Sequence, residues 1–182
     1  RAGVFTLMAR TDPATNGARG ISAFIVPADT PGISFGKLDK KMGQRGTITC
    51  DVVFDDVAVP AANVIGGVPG RGFKTAMKVL DRGRIHLSAL ASGMSDRLVE
   101  ESVRYAVDRK QFGQAIGAFQ LVQGLLADSR TDPFAPRAMT CDVAARFAEG
   151  EEVPAEAAPT RFFTSEPVGR VAERQVPRPG GA

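Results

Sequence analysis

The chain has 182 residues, 43% of them hydrophobic and 24% charged, which is enough apolar content to bury one domain or two small ones and excludes wholesale disorder. Its 23 basic and 20 acidic side chains leave a net charge of +3 with no basic block, so nothing marks a nucleic-acid surface. Cys50 and Cys141 lie far apart without Cys/His spacing, which excludes a zinc site or a disulfide framework and makes a reducing compartment the expectation. No apolar run reaches transmembrane length and no signal-peptide pattern occurs.

In chain order, the first 65 residues read as β. VFTLMA (4–9) and ISAFIV (21–26) are apolar and joined by the turn chemistry of DPATNGARG. TITCDVVF (47–54) alternates, with Ile48, Cys50, Val52 and Phe54 on one face. These segments predict an antiparallel sheet. The sequence opens at Arg1 within a strand pattern and closes on RPGGA, so a piece of a longer chain is expected.

From Pro69 the period becomes helical. Phe73, Met77, Leu80, Leu87, Ala91, Met94 and Leu98 form a stripe at 4/3 spacing and predict a helix over about 71–108 with that stripe as its core face. Arg84 interrupts the stripe, three residues after Asp81. It reads either as the partner of Asp81 or as the receptor of an anionic ligand. A second helix begins near Phe119 with Leu121, Val122, Leu125 and Leu126, and a third covers about 154–176. Seven prolines fall in the last 50 residues. Pro136, Pro159 and Pro167 sit inside helical patterns at about 3 kcal/mol each, so kinks or a decayed tail are expected there.

Other polar groups have structural explanations. His86 is the only histidine, lacks a Ser or Cys partner, and reads as structural or exposed. Asp55-Asp56 and Glu100-Glu101 read as solvated faces or caps without a pocket around them. VIGGVPGRG has neither Walker spacing nor a GxGxxG opening a βαβ unit, and reads as a β-to-α linker. Arg109 closes the long helix, where the dipole favours a cation by about 0.3–1 kcal/mol. That accounts for neither Gln120 nor the Phe112-Gly113 pair.

Three segments resemble the acyl-CoA dehydrogenase family, and the resemblance covers nearly the whole chain. They are KKMGQRGTITCDVVFDDVAVPAANVIG (40–66), GFKTAMKVLDRGRIHLSALASG (72–93) and YAVDRKQFGQAIGAFQLVQGLLADS (105–129). The last matches the long signature R-x-x-F-G-x-x-I-x-x-F-Q-x-x-Q-x-x-L-A-D. The implied fold is α+β: a partial antiparallel middle β-domain over 1–66, followed by an antiparallel long-helix bundle over 67–182.

The resemblance implies roles for particular residues. Asp81 and Arg84 line the acyl-CoA site. Arg109 and Gln120 contact FAD, typically the FAD bound mainly by a neighbouring subunit, with Phe112 packing nearby and Gly180-Gly181 in the C-terminal cofactor loop. The implied reaction is α,β-dehydrogenation of an acyl-CoA thioester, with electrons passing to an electron-transfer flavoprotein. The implied assembly is a homotetramer or dimer, in the bacterial cytoplasm or, in a eukaryote, the mitochondrial matrix. No nucleic acid or membrane partner is implied.

The chain also departs from the pattern. The family's catalytic Glu follows the Gly-Gly, beyond Ala182, and the alternative base position before the arginine is Gly83. No residue of this chain is therefore assigned as the base, and the isolated chain is expected to be inactive and to bind FAD poorly. Pro177 stands where the family carries a Gln, and Gln175 falls two places early. Two alternatives stay open: flavin oxidase or monooxygenase chemistry on the same fold, and a non-catalytic helical remnant.

Overall fold

The computed structural model describes residues 2–175. It divides into two compact units, residues 1–78 and 79–182, with the boundary inside one long helix. Each is taken by itself.

In the first unit, β1 (Val4–Arg10) and β2 (Ile21–Pro27) pair antiparallel, with Val4 opposite Pro27 and Arg10 opposite Ile21. Their connection is fixed by its own side chains. The Asp12 carboxylate accepts from the Thr15 hydroxyl and from the Ala14 amide, the latter at 3.0 Å, an Asx turn that sets the chain direction. The Thr15 hydroxyl first, then the Ala14 amide, hold the Asp12 carboxyl below the ordinary range. Val26 and Ala23 on β2 are buried.

β3 (Ile33–Phe35) pairs with β4 (Val52–Phe54). Phe5 meets Phe35 and, edge-on, Phe54, with ring centroids 6.0 and 6.1 Å away. The strand expected over 47–54 is therefore cut to its last three residues. Opposite its first half lies a polar, glycine-bearing loop, and the ladder there thins to Gly36 N–H to Asp51 O and Asp39 N–H to Thr49 O, each 2.9 Å. The facing pattern survives at Cys50, Val52 and Phe54, which are half-buried, while Ile48 is 60% exposed.

The glycine-rich run is the linker expected. Gly70 takes φ 81° and donates its N–H to Ser22 Oγ at 2.8 Å. A Cβ on Gly72 would lie 2.4 Å from the Ser22 carbonyl carbon, so the chain passes the hairpin where only glycine fits.

Helix α1 runs from Gly72 to Asp108, as its period predicts. In the second unit a short hairpin, β5 (Lys110–Gln111) and β6 (Gln114–Ala115), leads to α2 (Gln120–Thr131), α3 (Phe134–Ala148) and α4 (Pro154–Gln175). The apolar cluster joins Ile85 of α1, Val143 of α3, Val153 and Ala157. The architecture is the expected one: small antiparallel sheets followed by an antiparallel helix bundle.

Two expectations about the helices fail. The large apolar stripe is not the buried face of α1. Leu80 and Met94 are 52% and 50% exposed, and Phe73 and Leu87 are exposed too; only Ala91 of that stripe is buried. The buried face is made of small residues: Ser88, Ala91, Ser92, Ser95, Ser102 and Ala106, with Ile85 and Val99. Their serines donate to the carbonyl four residues back, at 2.9 Å for Ser88 and 3.0 Å for Ser92 and Ser95. Small side chains with internally satisfied hydroxyls let neighbouring helices pack closely. Periodicity finds apolar residues but not which face a neighbour covers.

The second failure is α3, absent from the sequence expectation. Pro136 reads as an interior proline in the sequence, yet Pro133 and Pro136 occupy the N-cap and the first turn, where a missing N–H costs little. Nor is α4 broken, since it runs through Pro159 and Pro167. Val153, Ala157, Thr160, Thr164, Pro167 and Val171 form its buried stripe at 4-3-4-3-4 spacing. Tertiary burial of that stripe offsets the poor local propensity.

Candidate functional site

The resemblance marks two groups of residues. Asp81 and Arg84 share one side of α1 and form an ion pair, with side chains 35% and 39% exposed. This satisfies the structural reading of Arg84 while leaving part of its guanidinium open to a ligand. Gly83, at the alternative base position, has nothing within 4 Å of where a Cβ would stand.

The second group is built on the turn after α1. The Arg109 amide still donates to Tyr105 O at 2.9 Å, and the Ile116 amide returns to Arg109 O at 2.8 Å. Between them Gln111 pairs with Gln114 across a two-residue loop. Its central residues, Phe112 and Gly113, take φ 52° and 81°, the signs of a primed hairpin turn. Left-handed backbone at a phenylalanine costs about 1–2 kcal/mol. The ring is nevertheless 92% exposed, edge-on to Phe119 at 6.2 Å and 89°. Backbone strain of this kind clusters at ligand-binding elements. Gly117 anchors the turn on α1, since a Cβ there would stand 3.1 Å from Ala106 O.

Arg109 and Gln120 flank this turn, both exposed, Gln120 as the first residue of α2. Among the described residues no ion pair or side-chain hydrogen bond engages Arg109. An unpaired guanidinium, an amide and a presented aromatic form a donor set that suits a pyrophosphate joined to flat rings, as in a flavin dinucleotide. Gly180 and Gly181 lie outside the described residues.

Arg109, Phe112 and Gln120 thus lie on one turn, and Asp81 and Arg84 form one ion pair, but the two groups lie apart along the helix. From Arg84 to Arg109 the helix rises roughly 37 Å at about 1.5 Å per residue.

Three ionic clusters escaped the sequence reading. The Asp96 carboxylate is shared by Arg130 at 3.1 Å and Arg137 at 2.6 Å. Asp132, just past α2, accepts from Arg170 at 3.1 Å and Arg174 at 2.6 Å, both on α4. Burial pushes the Asp132 carboxyl up, but the hydrogen bonds from Arg174 and Arg170 outweigh it and hold the group below its ordinary range. Arg146 reaches both Glu151 and Glu156 at 2.9 Å, and its hydrogen bond to Glu156 lowers that carboxyl. The Asp96 and Asp132 clusters join residues 34 to 42 apart in sequence, while Arg146 closes the α3–α4 connection over five and ten residues.

The acidic pairs fare differently. Asp55 and Asp56 are exposed, as is His86. Glu101 pairs with Arg97. Glu100, expected to have no pocket near it, lines an open cavity of about 560 Å3 with Asp96, Arg104, Leu126 and Arg130. Among the described residues no His/Cys/Asp/Glu group could hold a metal ion, and no helix is long and apolar enough to cross a membrane.

Comparison with known proteins accords with this geometry. The chain is 36% identical over 175 residues to the caffeyl-CoA reductase–Etf complex subunit CarC of Acetobacterium woodii, covering 96% of this chain and 46% of the relative. The butyryl-CoA dehydrogenase structure from Megasphaera elsdenii superposes with a TM-score of 0.89 at 36% identity, covering 96% of this chain and 45% of that one. A structure of PigA with FAD and proline gives 0.88 at 30% identity, covering 100% and 47%. The chain spans about half the length of these proteins. The acyl-CoA dehydrogenase middle domain matches residues 1–57 and the C-terminal domain matches residues 70–182. The chain belongs to the acyl-CoA dehydrogenase family.

Proposed function

We propose that this chain supplies the end of the middle domain and most of the C-terminal domain of an FAD-dependent acyl-CoA dehydrogenase, with the boundary at residues 66–67. The observation that carries this is the turn from Arg109 to Gln120, which holds Phe112 in left-handed backbone and 92% exposed between two unpaired polar groups.

In this reading the Arg109 guanidinium holds the pyrophosphate of FAD as a charged fork, the Gln120 amide hydrogen-bonds a further polar group, and Phe112 covers an apolar face of the cofactor. Bound FAD supplies the hydride acceptor. Asp81 orients Arg84, whose open edge meets the CoA portion of a thioester. No residue of this chain is assigned as the base that removes the α-proton. The roughly 37 Å of helix rise between Arg84 and Arg109 supports their serving different flavin sites, and so a dimer or tetramer with shared sites. The relative in an Etf complex supports an electron-transfer flavoprotein as acceptor.

The test is a chimera in which residues 1–182 replace the matching segment of the M. elsdenii butyryl-CoA dehydrogenase. Acyl-CoA-dependent reduction of a dye acceptor is expected, and its absence in a folded, flavin-loaded chimera would sink the proposal. The likeness to the prolyl acyl carrier protein oxidase AnaB, with a TM-score of 0.86 at 31% identity, supports a second reading as a flavin oxidase. Oxygen consumption without dye reduction in the same assay would select it.

A further inference from the structure

The loop between β3 and β4 is more than a spacer. A cavity of about 350 Å3 opens in it, and its lining includes Asp39, Lys40, Lys41, Arg45 and Thr47. The loop is held in shape. Asp39 N–H donates to Thr49 O at 2.9 Å, Thr47 N–H donates to Gln44 O at 3.2 Å, and Gln44 itself takes a left-handed φ of 50°. Lys41 Nζ donates to Thr47 Oγ1 at 2.9 Å and Arg45 Nε to Lys41 O at 3.2 Å. Those bonds orient two cations and leave the terminal guanidinium nitrogens of Arg45 without a protein acceptor among the described residues. No ion pair engages Lys40, Lys41 or Arg45 among the described residues.

Three cations and one carboxylate give the lining a net +2. A phosphate monoester carries about −1.5 to −2 at pH 7, the complementary charge. The cavity exceeds a phosphate group alone, and it is also walled by Leu38 and Ile48, 55% and 60% exposed, which offer apolar contact to an organic substituent. We propose that this loop is a binding site for a phosphate monoester. The inference does not rest on the flavin reading and lies within the first unit alone.

Calorimetric titration of the 182-residue chain at low ionic strength tests it, with inorganic phosphate in one arm and AMP in the other. Saturable binding is expected in both arms. Tighter AMP binding supports contact with Leu38 and Ile48, while equal affinities support recognition of the phosphate alone. Affinity should rise about tenfold from pH 5 to pH 7, as the second phosphate proton leaves near pH 6. Arg45→Glu should weaken binding at least tenfold. Lys74→Glu, the same charge change outside the loop, should alter it less than twofold. Circular dichroism checks the fold, and Lys40→Glu, at an exposed residue, replaces Arg45→Glu if that variant unfolds. No saturable binding in either arm, or equal losses in the Arg45 and Lys74 variants, overturns the proposal.

Discussion

Phe112 stands edge-on to Phe119, ring centroids 6.2 Å apart and planes at 89°, with the first ring in solvent and the second half-buried. The inner ring braces the outer one from the side, so the outer face stays open. A side chain kept in left-handed backbone for this purpose carries a stability cost that glycine would remove. Phe112→Gly should therefore raise the unfolding free energy by about 1 kcal/mol in urea melts while lowering flavin retention in the chimera. A variant that is less stable than the parent would mean the ring contributes more to folding than its exposure indicates.

Asp132 ties the end of α2 to the last turns of α4 through Arg170 and Arg174. Its folded-state pKa is depressed, so its contribution is complete above the unfolded value of about 3.9 and disappears as pH falls through the lower folded value. Glu156, lowered by Arg146, follows the same sign. Asp132→Asn should cost about 1 kcal/mol at pH 7, and that cost should shrink as pH falls below about 3.9. Denaturant melts across that range decide it; a loss that persists undiminished at pH 2 would rule out the ionic account.

The buried face of α1 makes a prediction that its apolar pattern reverses. Ser95 is 1% exposed, so Ser95→Leu should destabilise by about 2 kcal/mol through overpacking, despite adding an apolar group. Leu87→Ser, on the face the sequence pattern marks as core, should cost less than about 0.5 kcal/mol in the isolated chain. Equal and large losses from both would restore the apolar stripe as the core face.

These outcomes bear on what the sequence made legible. The hairpin of β1 and β2, the extent of α1 and the start of α2 follow from alternation, helical period and turn residues, all local signals. The signature from Arg109 to Gln120 was legible as a motif, and the structure adds what a motif cannot carry: Phe112 strained and exposed, Arg109 unpaired. The shortness of β4 was hidden because strand pairing depends on what lies opposite Thr47–Asp51. Helix α3 was hidden because a proline's cost depends on its position within the helix. The Asp96 and Asp132 clusters join residues brought together only by the bundle, and the Arg146 cluster depends on how α3 turns into α4. The three cations of the β3–β4 loop were visible in sequence as scattered charges, and only the loop's closure turns them toward one cavity.

The isolated chain offers its own check on the division of labour between copies and segments. With no residue assigned as the base and Arg84 far along the helix from Arg109, it should show no turnover with acyl-CoA substrates and a dye acceptor. Measurable turnover in the 182-residue chain would place a base within it and overturn the assignment of that role elsewhere.

The central claim is that the Arg109 turn holds flavin, and flavin content measures it directly. In the butyryl-CoA dehydrogenase chimera, Arg109→Ala should leave the helical circular dichroism unchanged and reduce bound FAD per subunit at least tenfold after gel filtration, the loss of one charge-assisted pair. Arg109→Lys should restore part of it as a point charge without the fork. Flavin content equal to the parent in a folded Arg109→Ala chimera would contradict the account.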